Sequence, residues 1–173
     1  QAQELVIRQD KPWEGNASSY HTVFKDGDTY RMYYRGHDFT LEGGRLGFTH
    51  GECTCYAESK DGIHWDKPEL GLFEFDGSKK NNIVWMGAGS HNFSPFVDER
   101  PDCPEDERLK AIGGLAHNGG MRLFKSADGT KWKQVGEQAV ITEGAFDSAN
   151  IAFWDKALGK YRTYFRVFTA GTT

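Results

Sequence analysis

Short stretches rich in β-branched and aromatic residues, separated by turns that contain Gly and Asp, recur along the chain. The first runs from Ser18 to Phe24, and a return stretch from Thr29 to Arg35 follows the turn Lys25-Asp26-Gly27-Asp28. Because Gly readily takes the positive φ that tight hairpins need, this pattern predicts an antiparallel hairpin. Thr54 to Ser59 predicts a third strand, which turns at Asp61-Gly62 toward Trp65.

Similar stretches fill the rest of the chain. They run over 93–97, 109–112 and 121–125, and then over 148–154 and 161–168. No amphipathic helix pattern is apparent, and the Gly-rich connection from Gly36 to Gly51 predicts a loop. The pattern therefore predicts an all-β protein.

Two sequence motifs repeat with one period. The motif S-x-D-G-x-x-W occurs at Ser59–Trp65 and at Ser126–Trp132, an offset of 126 − 59 = 67 residues. The motif Y-R-x-Y-[YF]-R occurs at Tyr30–Arg35 and at Tyr161–Arg166, an offset of 161 − 30 = 131 residues, close to twice 67. Agreement of two independent motifs on one period indicates a repeat architecture.

Antiparallel units with a Trp and an Asp-Gly turn at one fixed place predict the blades of a β-propeller. The 173 residues hold about two and a half periods, so residues 1–173 are expected to form a partial propeller domain. Blade 1 is expected at about 16–68, blade 2 at about 91–135, and blade 3 begins at about 147–168. Since propellers close with about four to eight blades, the missing blades are expected from the rest of a longer chain or from another subunit.

Composition and charge exclude several classes of partner. The net charge is −4 and no Lys- or Arg-rich run occurs, which argues against nucleic acid. No stretch approaches the ~18 apolar residues of a membrane helix, so no membrane partner is expected. The chain begins at Gln1 without an initiator Met, and we expect a secreted or periplasmic protein that has lost a signal peptide; a cut at this point of a longer chain is the alternative.

The three cysteines do not suggest a metal site. Cys53 and Cys55 alternate along one predicted strand, Cys103 stands apart, and no Cys-x-x-Cys pair occurs. Buried free thiols are favoured, and a single disulfide from Cys103 to either partner stays open as the alternative.

Several motifs together resemble a known family. They are Trp13-Glu14-Gly15-Asn16, the Tyr-Arg-x-Tyr-Tyr-Arg strand, Tyr56–Trp65, and Gly144–Ser148 before Phe153-Trp154-Asp155. The chain resembles bacterial secreted glycosidase-like proteins related to the five-bladed β-propeller glycoside hydrolases of families 32 and 43. The resemblance covers nearly the whole chain but only the N-terminal half of such a domain.

The resemblance implies a funnel on the propeller axis, with carboxylates at the start of the innermost strand of the first three blades. Those positions fall near Asn16, Asn92 and Asp147, and of the three only Asp147 is an acid. Glycoside hydrolysis needs two carboxyl groups, so Glu14 and Asp147 are the expected catalytic pair, with Glu143 in reserve. Which of the pair donates the proton stays open, and the alternative is that both are turn and cap residues.

The same loops hold the expected substrate-binding residues. Trp13 suits stacking on a sugar ring, although it also suits packing beneath the first blade. His91 and Asn92 precede an inner strand and suit sugar hydroxyls, as does Asn16. Arg35 is also a candidate, but Arg166 occupies the same repeat position, and repetition favours a structural task.

The expected partner is therefore an oligosaccharide or polysaccharide, and the expected protein is a glycoside hydrolase of polysaccharide degradation that is inactive as this piece alone. The alternative is a non-catalytic carbohydrate-binding or assembly module, because two of the three expected acid positions are Asn. No cofactor is expected; the histidines show no metal-ligand spacing, and a structural Ca²⁺ has no specific support.

Overall fold

The computed structural model describes residues 5–169 and confirms the all-β class. Every strand pairing is antiparallel, no sheet closes on itself, and the helical content of these residues is three short 3₁₀ turns. The chain divides into two compact units, residues 1–87 and residues 88–173, which are described in turn.

Six strands form the first unit: β1 (Ser19–Asp26), β2 (Thr29–Gly36), β3 (Thr40–Glu42), β4 (Arg45–Gly47), β5 (Cys53–Ser59) and β6 (Ile83–Met86). Four of them make one sheet in the order β1-β2-β5-β6, so each strand lies beside the next strand of that sheet along the chain. The hairpin β3–β4 is inserted between β2 and β5. The three predicted strands of this unit are present.

The connection predicted as a loop contains the β3–β4 hairpin, so that prediction was wrong over residues 40–47. The reason lies in two consecutive glycines. Gly43 and Gly44 both have positive φ, at 57° and 77°, which is the conformation that a two-residue hairpin turn requires. Glycines that suggest an irregular loop are here the turn of a regular hairpin.

The fourth strand of the first sheet lies beyond the range 16–68 that the repeat suggested. Strand β6 pairs with β5 and buries Ile83 and Val84. Its four residues carry no copy of either repeated motif, so the period did not reveal it.

One core cluster of the first unit lies on one face of β2, β5 and β6, and its buried side chains are those of Met32, Tyr34, Cys53, Cys55, Ala57 and Ile83. Tyr33 and Tyr56, which alternate with these residues along β2 and β5, are also fully buried and contact each other. The two cysteines point to the same face, as their alternation predicts, with their sulfur atoms 3.8 Å apart. Both are buried free thiols, and Cys103 is also free.

Six further strands form the second unit: β7 (Ser94–Val97), β8 (Leu109–Leu115), β9 (Gly120–Ser126), β10 (Lys133–Gln134), β11 (Ile151–Asp155) and β12 (Lys160–Tyr164). The first four make a sheet in the order β10-β9-β8-β7, and β11 and β12 make a separate hairpin. Ile112, Met121, Phe146 and Ala152 form a core that includes a side chain from that hairpin.

The two copies of S-x-D-G-x-x-W fold into the same turn. The Ser59 hydroxyl accepts from the backbone amides of Asp61 and Gly62. The Asp61 carboxylate accepts from the backbone amides of Ile63 and His64, at 2.8 Å each. The Trp65 indole donates to the Gly62 carbonyl at 3.2 Å. The second copy makes the same set of bonds, with Ser126, Asp128, Gly129 and Trp132 in the equivalent places. The Asp of each turn therefore accepts from backbone amides of its own turn.

Candidate functional site

Three loops each lead into the first strand of a sheet, and these loops hold the candidate residues other than Arg35. Residues 11–18 precede β1, residues 87–93 precede β7, and residues 143–150 precede β11. The first loop belongs to the first unit and the other two belong to the second unit.

Glu14 is fully buried in the first loop. Its carboxylate accepts from the Tyr34 hydroxyl at 2.5 Å and from the Lys11 amide at 2.9 Å, and it pairs with the Lys67 ammonium at 2.7 Å. Burial, together with the nearby Cys55 and Glu14, raises the pKa of Tyr34, so that hydroxyl stays a donor. The Glu14 carboxylate thus ties its loop to β2 and to Lys67 and has no solvent-accessible face.

Trp13 and Asn16 are also bonded within the first unit. The Trp13 indole donates to the Asn82 side chain at 2.6 Å and packs edge-on against Phe75. The Asn16 side chain bonds both backbone groups of Phe39, donating at 2.9 Å and accepting at 2.8 Å. The structure therefore places Trp13 against the core and Asn16 at the base of the β3–β4 hairpin.

Arg35 lies in β2 and Arg166 follows β12, and each contacts the loop that precedes the first strand of that sheet. The Arg35 guanidinium donates to the Ala17 carbonyl at 3.3 Å and pairs with Glu52 at 3.3 Å. The Arg166 guanidinium pairs with the carboxylate of Asp147, and the Arg166 carbonyl accepts from the Ala145 amide at 2.8 Å.

Asp147 presents a charged carboxylate to solvent. Its side chain is 51% exposed, against 0% for Glu14. The bond from Arg166 holds the pKa of Asp147 below its usual value, and nearby His91 contributes in the same direction. Near neutral pH this carboxylate is therefore ionised and can act as a base, a nucleophile or an acceptor for hydroxyl groups.

Asn92 lies beside Asp147 but faces the protein interior. It is 1% exposed, and its amide nitrogen donates to the carbonyls of Phe146 and Ser148. Its oxygen accepts from the Gly114 amide at 2.9 Å. The structure thus brings Asp147, His91 and Asn92 together, and the Asn92 side chain is engaged with backbone groups.

Sequence reasoning missed the role of two groups in the second unit. Arg166 is the partner of Asp147, and its repeat relation to Arg35 was a signal that could have indicated this contact. Asn150 is fully buried and donates to the Phe146 carbonyl at 3.1 Å. A single Asn before a strand carries no sequence signal for such a bond.

Asp98, which follows β7, holds a buried cluster at the other end of that strand. It pairs with Lys110 at 2.5 Å and accepts from the Tyr161 hydroxyl at 2.6 Å and from Cys103 at 3.1 Å. Burial alone would raise the pKa of Asp98, but the bonds from Lys110, Tyr161 and Cys103 outweigh it and lower the pKa. The cluster ties the β11–β12 hairpin to the β7–β10 sheet.

Within residues 5–169, no group of three or more His, Cys, Asp or Glu side chains is arranged to hold a metal ion. In the same residues no helix is long and apolar enough to span a membrane.

Two curated proteins of Mycobacterium tuberculosis are similar to this chain. They are the uncharacterized proteins MT1551, of strain CDC 1551 / Oshkosh, and Rv1502, of strain ATCC 25618 / H37Rv; each is 27% identical over 144 residues. The matches cover 78% of this chain and 40% of each relative, so the chain spans well under half the length of these proteins. No family model and no solved structure matches the chain.

Proposed function

We propose that this chain is part of a carbohydrate-active β-propeller in which Asp147 is the ionised carboxylate of a glycoside hydrolase site. The observation that carries the proposal is the exposed Asp147–Arg166 pair in the loop before β11, where the family resemblance expects an acid. The propeller itself is supported by two four-stranded antiparallel meanders whose S-x-D-G-x-x-W turns make the same bonds.

The ion pair with Arg166 favours one role for Asp147 in this chemistry. Glycoside hydrolysis pairs an acid that is protonated with a carboxylate that is ionised. Because Arg166 keeps Asp147 ionised, Asp147 suits the nucleophile or base and not the proton donor. We assign Glu14 a structural role, since its carboxylate is enclosed by Tyr34, Lys67 and a backbone amide.

The proton donor and the remaining blades then come from another part of a longer protein or from a partner subunit. The length of the two relatives supports a longer protein. The proposed partner is an oligosaccharide or polysaccharide, and the proposed location is outside the cytoplasm, where such substrates occur.

The test is a panel of oligosaccharides and polysaccharides with the complete protein and its Asp147→Asn variant. We expect Asp147→Asn to lower kcat on the best substrate by at least about 10³-fold, because the amide cannot act as nucleophile or base. Asp102→Asn, at an exposed residue, is the control and should keep full activity. Hydrolysis that survives Asp147→Asn would remove Asp147 from the chemistry.

A non-catalytic carbohydrate-binding module is the second candidate. The observation that favours it is the enclosure of Glu14 and Asn92, two of the residues near the expected acid positions. A complete protein that binds a glycan in calorimetry, hydrolyses nothing in the panel, and loses binding in Asp147→Asn would establish this candidate in place of the first.

A further inference from the structure

Two buried asparagine side chains hold the loop that carries Asp147. The Asn92 amide donates to the carbonyls of Phe146 and Ser148, the residues on either side of Asp147, with 3.0 Å to Ser148. Asn150 donates to the same Phe146 carbonyl at 3.1 Å. Three bonds therefore converge on the two peptide carbonyls that flank one exposed acid.

The conformation of this loop is one that the chain would not keep without such support. Phe146 is fully buried and has a φ of 50°, in the left-handed region that bulky residues rarely occupy. The side-chain oxygen of Asn150 is buried without a hydrogen-bond partner. Strained or unsatisfied groups of this kind persist where the surrounding contacts hold the chain in one conformation, and they are often found at functional sites.

The asparagine bonds also connect the loop to the sheet. The oxygen of Asn92 accepts from the amide of Gly114 in β8 at 2.9 Å, so one side chain joins a sheet strand to both neighbours of Asp147. The Phe146 ring packs on Phe165 and lies in the core of the second unit. With these neighbours held inward, the Asp147 side chain points outward to Arg166.

We infer that Asn92 is a positioning residue for Asp147, with Asn150 as its second support, and that it is not a ligand for sugar. The inference rests on the proposed function for its biological meaning. Asn92 is 1% exposed, and the nitrogen and oxygen of its side-chain amide both bond backbone groups. Its effect on a bound ligand would therefore come from the position that it gives Asp147.

The test compares Asn92→Ala with Asn82→Ala in the complete protein. Asn82 is equally buried and also bonds a backbone carbonyl, that of Tyr56, but it lies in the first unit. The activity-independent readout is the ¹³C NMR titration of the Asp147 carboxyl, assigned with Asp147→Asn. We expect Asn92→Ala to raise the Asp147 midpoint by about half a pH unit or more, because the contact with Arg166 loosens, while Asn82→Ala leaves it unchanged.

On a substrate of the complete protein, we expect Asn92→Ala to lower kcat by about 10²-fold with KM changed less than about threefold, since a small displacement of a reacting group has an effect of that size. If Asn92→Ala does not fold, Asn150→Ala, which removes one bond to the same carbonyl, takes its place with the same readouts. An unchanged Asp147 titration in the folded variant would overturn the inference. A shifted titration in a protein without activity on any glycan would keep the positioning role and remove the proposed function.

Discussion

At the scale of single residues, two carboxylates that the sequence treats alike have opposite surroundings. Glu14 and Asp147 each stand in a loop before the first strand of a sheet. Glu14 is enclosed by three donors and has no exposed surface, whereas Asp147 pairs with Arg166 and is half exposed. The Glu14 carboxylate is therefore shielded from solvent, whereas the Asp147 carboxylate is accessible to it.

Glu14→Gln should destabilise the chain by about 2–3 kcal/mol, because it removes the buried counter-charge of the largely buried Lys67 ammonium and leaves only the exposed Asp10 carboxylate, at 3.6 Å. Urea unfolding followed by circular dichroism measures the effect. The double variant Glu14→Gln, Lys67→Met removes both charges and should recover part of the loss. A free energy of unfolding within about 0.5 kcal/mol of the parent for Glu14→Gln would contradict the structural role.

Arg166→Met should raise the pKa of Asp147, because the guanidinium bond is the main cause of its lowering. If the ionised form of Asp147 is required, the acid limb of the pH profile of kcat/KM moves to higher pH, by about one unit. Arg162→Met, which removes an arginine that pairs with Asp155, is the matched control. If the pH profile of kcat/KM shifts equally in Arg166→Met and Arg162→Met, or in neither, the Asp147–Arg166 pair does not set the acid limb.

At the scale of elements, the S-x-D-G-x-x-W turn is the most regular feature of the chain. Gly62 and Gly129 have φ values of 78° and 80°, and the Trp indole of each copy donates to the carbonyl of that glycine. Local side-chain bonds specify the turn, which is why the motif folds identically in both units.

Gly62→Ala should destabilise the chain by about 1–2 kcal/mol, because a left-handed backbone is unfavourable for a residue with a Cβ atom. Steric crowding adds little, since the new Cβ would lie 3.7 Å from the Tyr30 ring, an ordinary contact. Gly51→Ala, where a Cβ meets nothing and φ is not in the left-handed region, is the control. Equal urea midpoints for the two variants would show that the turn conformation is not the cause.

At the scale of the whole molecule, the chain holds two units with separate core clusters, and the hairpin β11–β12 of the second unit is a sheet of two strands. In each four-stranded sheet the second strand along the chain lies between two others, as β2 lies between β1 and β5. Strand β12 is the second strand of the two-stranded sheet, where it pairs with β11. Tyr161 and Tyr164 of β12 are 42% and 53% exposed. In the proposed propeller, the third strand of that blade would lie beside β12.

If the proposed propeller is right, the 173-residue chain on its own should hydrolyse no glycoside in the panel that the complete protein is tested on, because part of the ring cannot enclose the sugar or exclude water. Activity assays at matched molar concentration check this, and light scattering after size exclusion gives the oligomeric state. Full activity of a monomeric chain would contradict the need for further blades. Activity confined to a defined oligomer would indicate that other copies supply them.

The sequence by itself determined the features that local chemistry specifies. The strands next to Asp-Gly turns, the Asp bonds within the repeated motif, and the common face of Cys53 and Cys55 were all predictable, because each depends on residues close together along the chain. Tertiary structure decided the rest. The surroundings of Glu14 depend on Tyr34 and Lys67, and those of Asp147 depend on Arg166. These partners lie 19 to 53 residues away along the chain, so no local sequence pattern shows whether either acid is enclosed or exposed.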